Sequence, residues 1–102
     1  NDYHPDGRSR VNIDDISRCS SLLQRIEDVN AERARAFSRL TVIFSTPDRL
    51  SGKNIVLLNS DAIHKVFDEF MAANSELLAL VEEYNEIASR VGMDEFNVIL
   101  RG

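Results

Sequence analysis

The sequence predicts an all-α protein organised as one long antiparallel helical hairpin, and three observations carry that expectation. From Ile63, the residues Ile63, Phe67, Phe70, Asn74, Leu77, Val81, Tyr84, Ala88 and Val91 alternate at spacings of four and three, an unbroken heptad seam. A second seam of the same kind runs through Ile16, Cys19, Leu23, Ile26, Asn30, Arg33, Phe37, Leu40 and Phe44. The charges complement each other. Residues 16–44 carry Arg18, Arg25, Arg33, Arg35 and Arg39 against Glu27, Asp28 and Glu32, a net of +2; residues 61–91 carry Lys65 and Arg90 against seven carboxylates, a net of −5. Opposite charges on adjacent helices favour pairing of the first helix with the second over pairing with a copy of itself.

In chain order, residues 1–11 read as a polar N-terminal tail containing Pro5 and Gly7, and residues 12–102 as a single domain. Asp2, His4 and Asp6 in the tail have the chemistry to grip a cation, but ordering a flexible segment around an ion opposes it, and a solvated terminus is the preferred reading. The first helix is expected over residues 13–44, with Asn12 as its cap and Asp15 three residues on. Its end near 41–44 is rich in β-branched and aromatic residues, which favours fraying there.

The connection, 45–59, is longer than is usual between bundle helices and is therefore a candidate functional loop. Pro47 and Gly52 frame an expected single helical turn, and residues 55–58 form an apolar run read as an extended segment laid over the bundle. The second helix is expected over residues 60–91, capped by Asn59 or Ser60, with Asp61 in its first turn and Gly92 as its stop. The final stretch, 93–102, carries an apolar run in which Phe96, Val98 and Leu100 alternate with other residues. This run has three possible uses: pairing with residues 55–58, covering the hairpin, or meeting a partner.

Numbering heptads so that Ile16 and Phe67 are a positions, each helix also carries apolar residues at g: Leu22, Val29, Ala36 and Ile43 in the first, and Val66, Ala73, Leu80 and Ile87 in the second. The second adds Met71 and Leu78 at e. A stripe this wide must touch neighbours on two sides, as in a bundle. Laid antiparallel, the seams pair Leu23 with Val81, Ile26 with Leu77, Phe37 with Phe67, and Asn30 with Asn74. An asparagine in an apolar seam fixes register when its amide is paired, so Asn30 and Asn74 are read as a register layer; a chance coincidence of two asparagines is the rival reading. The expected assembly core is Leu23, Ile26, Asn30, Phe37, Phe67, Phe70, Asn74, Leu77 and Val81. Completion of that core by an antiparallel homodimer gives a four-helix bundle.

Composition narrows the function. With 102 residues, 43% hydrophobic and 28% charged, the chain belongs among ordered globular domains with a marginal surface-to-volume ratio. No apolar run approaches the roughly 20 residues that cross a bilayer, no signal-peptide pattern is present, and the lone Cys19 rules out an intrachain disulfide framework. A cytoplasmic location with no membrane partner is the expectation. Gly52 and Lys53 lack the earlier glycine and the following Ser or Thr of a phosphate-binding loop. Cys19 and Tyr84 lie in the seams without a neighbouring base and read as core. Arg18, Arg25 and Arg39 share heptad position c, but Glu32 interrupts the row and the net charge is −5, so nucleic acid is not an expected partner.

The preferred function is a non-catalytic, acidic interaction module such as an adaptor, chaperone or inhibitor, with no cofactor. Glu76, Glu82, Glu83 and Glu86 offer a face to a partner with a basic or apolar surface. One alternative is a bundle holding a metal or small ligand near His64 and Asp68, which share a helical face with Asp61, although the first helix supplies no matching carboxylates. A third reading, in keeping with the opening Asn1, is a coiled-coil regulatory segment of a larger protein.

Overall fold

The computed structural model describes residues 5–102 of the chain, with side chains from Ile13 onward. The Asp2, His4 and Asp6 grouping lies outside the described residues and side chains. Helix α1 spans Pro5–Phe44 and helix α2 spans Ser60–Val91. The two pack against each other, and there is no strand among the described residues. Helix α1 begins within the segment read as a polar tail, ahead of Asn12. Pro5 occupies its first position, where the missing N–H is no loss and the fixed φ already suits a helix.

Helix α2 is bounded by two local devices. The Asn59 side chain accepts a hydrogen bond from the Ala62 N–H at 3.1 Å, satisfying one of the free amides of the first turn. At the other end Gly92 takes the left-handed conformation, with φ 73°. The Met93 N–H then donates to the Ala88 carbonyl at 2.9 Å, which closes the last turn.

The connection corrects one expectation. Residues 46–52 form no helical turn; a tight turn at Ser51 to Asn54 is closed instead by the Asn54 N–H on the Ser51 carbonyl, with Gly52 at φ 64°. The glycine supplies a positive φ that most residues resist, and that demand outweighs the helix-starting preference of Pro47. Residues 55–58 are irregular and exposed, so they do not cover the helices as expected.

The interface uses two heptad rows from each helix. Near the chain-terminal end, Cys19, Leu22 and Ile26 pack on Val81, Tyr84, Ile87 and Ala88, with Leu23, Leu77, Leu80 and Met93 at the margin. Near the loop, Ala36 and Leu40 pack on Val66, with Ile43, Ile63 and Phe70 alongside. Val29 and Ala73 are also buried. Nearly all of these residues are at d or g. The rows at a are only partly used: Val81 and Ala88 are buried, while Ile16, Phe37, Phe44 and Phe67 are about half exposed. The heptad numbering thus selects the right stripe, but its centre lies between d and g, one row from the seam through a.

Such a hairpin is thin. Its extents are 86 × 20 × 16 Å and its radius of gyration is 21.6 Å, against about 13 Å for a compact domain of this length. Single buried residues should therefore carry much of the stability. Leu22→Ala is expected to cost about 2–4 kcal/mol, because Leu22 is 2% exposed. Leu57→Ala, at 83% exposed, should cost less than about 0.5 kcal/mol. Denaturant unfolding of both variants checks the packing, and similar losses would contradict it.

Candidate protein-interaction surface

Around each helix the heptad rows run in the order c, g, d, a, e, so the buried g and d rows have a different neighbour on each side. The c side is charged. Arg18 places Nη2 2.6 Å and Nε 2.9 Å from Glu83 Oε2, Arg25 pairs with Glu76, and Arg39 Nη1 lies 3.2 Å from Glu69 Oε2. Each bond joins a c residue of α1 to a c residue of α2. The Glu76 carboxylate, first through its hydrogen bond and then through its charge, holds the Arg25 guanidinium further toward its protonated form. Glu32 occupies the c position between Arg25 and Arg39 and would face a like charge there. Arg39 accordingly reaches Glu69, the carboxylate one heptad from Glu76.

These pairs divide the expected acidic face. Glu76 and Glu83 are engaged within the hairpin, and Glu86 makes a 3.6 Å contact with Arg90. Arg90 also reaches Asp15 on α1 at 3.6 Å. Glu82 and Glu86 face outward. The arginines at c therefore serve inter-helix pairing, which is the alternative to a nucleic-acid stripe.

The opposite side is apolar and largely open. Exposed there are Ile16, Phe37 and Phe44 of α1 with Phe67, Met71 and Leu78 of α2. The Phe37 and Phe70 rings sit 6.5 Å apart at 47°, lining a shallow hollow with Asn30, Arg33 and Ala34. At mid-length Arg33 binds both seam asparagines: Nη1 donates to Asn74 Oδ1 at 2.9 Å and Nη2 to Asn30 Oδ1 at 3.0 Å. The two asparagines do occupy one level of the hairpin, and the guanidinium joins them. Arg33 can do this because its planar fork presents several donors in fixed directions.

Part of this side is covered by the chain itself. Beyond Gly92, the segment 96–100 runs back along α2 in an irregular conformation. The Phe96 N–H donates to Asn85 Oδ1 at 2.8 Å, and Asn85 Nδ2 donates to the Phe96 carbonyl at 2.9 Å. One side-chain amide thus holds both backbone polar groups of one residue. The Phe96 ring meets Tyr84 edge-on at 5.1 Å and forms one wall of an open apolar hollow whose other walls include Leu23, Ile26, Leu77 and Val81. Residues 97–100 continue past Leu78 toward Asn74 and Arg33.

Asn85 received no role from the sequence; in the same heptad numbering it falls at e. It follows Met71 and Leu78 in a row that begins with His64, which marks a polar position but gives no sign of its main-chain partner. Of the expected assembly core, Ile26 and Val81 are buried inside the single hairpin, Leu23, Phe70, Asn74 and Leu77 are partly buried, and Asn30, Phe37 and Phe67 are exposed. His64 and Asp68 are exposed on α2, and among the described residues no three His, Cys, Asp or Glu side chains converge as metal ligands. Cys19 is fully buried. No helix among the described residues is long and apolar enough to cross a membrane. Comparison of the chain with protein-family models, curated proteins and solved structures found no match.

The ion pairs set a test of the helix register. Arg18→Glu should lower the melting temperature, and adding Glu83→Arg should restore it, because the pair is re-formed with its charges exchanged. High salt should shrink the difference, since screening at 1 M acts within about 3 Å. A double variant no more stable than Arg18→Glu alone would contradict the pairing.

Proposed function

We propose that the protein is a non-catalytic interaction module, a helical hairpin that completes its core by pairing with a second copy of itself. The observation that carries this reading is the row of apolar side chains beside the buried interface, above all Phe37 at 57% exposed and Phe67 at 49%. Isolated apolar residues on a surface need no explanation, but large aromatic and aliphatic groups aligned along one side of a hairpin mark a contact face. Area supports the same conclusion. The accessible surface is 8221 Å², where a compact protein of this mass exposes about 5,800 Å². A standard interface removes about 800 Å² per partner, so pairing along this face falls well within the excess.

In an isologous pair the a and e rows of one hairpin meet those of the other, giving a four-helix bundle with charged c rows on its flanks. Phe37, Phe67, Met71 and Leu78 supply the new core. Capture of a further, basic partner falls to Glu82 and Glu86, the carboxylates of the acidic face that point away from the interface.

Because Phe67 is half exposed in the single hairpin, its substitution separates assembly from folding. Phe67→Asp should keep wild-type helicity and remain at the single-chain mass of 11.5 kDa, whereas the wild-type mass should double as concentration rises. Light scattering over a dilution series, with circular dichroism on the same samples, reads both quantities. A wild-type protein that stays at the single-chain mass throughout would overturn the proposal.

A further inference from the structure

The contact between Asn85 and Phe96 has the form of a receptor and its ligand. A helix-borne amide pairs with the N–H and carbonyl of one extended residue, a mode that reads backbone and tolerates many sequences. The aromatic ring of that residue rests edge-on against Tyr84 and borders an apolar hollow lined by Leu77 and Val81. Beyond that anchor the fit ends. Val98, Ile99 and Leu100 are 50%, 81% and 87% exposed; their path runs beside Leu77, Leu78 and Val81 to the polar level of Arg33 and Asn74, and most of their apolar surface stays in water.

We propose that the groove beside Asn85 is a binding site for an extended segment carrying an aromatic residue followed by aliphatic ones, and that in the assembled protein its occupant is the segment 96–100 of a second copy. The inference rests on the self-association reading above. Three features of the chain support that occupant. Among the described residues, this is the only segment that lies in the groove, and every copy carries it. The exposed aliphatics at 98–100 and the exposed Phe37, Phe67 and Met71 form two apolar sets that one hairpin leaves apart and a second hairpin can bring together. The link between α2 and the anchor is short: Gly92 and Met93 stay with α2 through the helix cap and the packing of Met93, so exchange redirects the chain at the exposed Asp94 and Glu95. Exchange of this segment keeps every contact of Phe96 while altering only that link, which is why exchange of identical elements is a low-cost route to dimers.

The test uses the full chain without alteration. Equal amounts of 13C-labelled and unlabelled protein are unfolded together and refolded at a concentration where light scattering shows a dimer. Isotope-filtered NOE spectra then ask whether the Phe96 ring contacts Tyr84 and Val81 of its own chain or of the other. Exchange predicts contacts between labelled and unlabelled chains. It also predicts that Asn85→Ala, with helicity preserved, weakens the dimer at least tenfold, since the clamp then spans two chains. A dimer showing only contacts within one chain, or a dimer constant unmoved by Asn85→Ala, would overturn exchange and leave self-association standing. A protein that stays monomeric would overturn both.

Discussion

A single neighbouring helix can cover only part of a wide apolar stripe, and most of this structure follows from that geometric limit. Each helix carries apolar residues across the a, d and g rows, and α2 adds the e row. Two cylinders in contact along their length bury the residues between them and leave the flanks half wet. The hairpin places d and g at the contact, so that Cys19, Leu22, Ile26, Val29, Val66, Tyr84 and Ile87 leave water. Rows on the two flanks then meet different fates. The c rows hold opposite charges at matching heights and join across the edge, while the a and e rows have no second layer beneath them in one chain.

The balance between those flanks is one of direction more than of magnitude. The three c-row pairs are solvent-exposed, and exposed pairs stabilise little. Their effect is selective. Burying the other flank instead would separate the arginines from the glutamates and place Asn30 and Asn74 in the interface. Burial of apolar surface supplies most of the favourable free energy, and charge decides which half of the stripe is buried. Arg33 resolves the one polar interruption of the d row by turning its head toward the asparagines at the a positions, so its stem lies along the core while its charge reaches the margin.

The hairpin, its antiparallel sense and the helix ends at Asn59 and Gly92 were legible in the residues, because heptad spacing and capping chemistry act locally. The level shared by Asn30 and Asn74 was also legible, although the guanidinium between them was not: periodicity assigns Arg33 a row and says nothing of where a long side chain turns. The seam through a was placed one row from the true centre for a related reason. When four adjacent rows are apolar, the pattern shows the width of the stripe, and only packing and the charges at its edge select the middle. The turn at residues 51–54 was missed because Pro47 and Gly52 also punctuate a helical turn. The clamp at Asn85 was invisible to periodicity, since its partner is a main-chain group and every residue has one.

The polar level at mid-length divides the buried side chains into one larger and one smaller cluster. The cluster near the chain ends contains Cys19, Leu22, Ile26, Val81, Tyr84, Ile87 and Ala88, whereas the cluster near the loop rests on Ala36, Leu40 and Val66. Cooperative opening of a protein follows units of shared packing, and here the units lie end to end along an 86 Å rod. The molecule therefore has a weak end and a strong end. With three buried side chains against seven, the loop end is the one expected to open first, so backbone amides around Leu40 and Val66 should exchange with solvent faster than those around Leu22 and Tyr84.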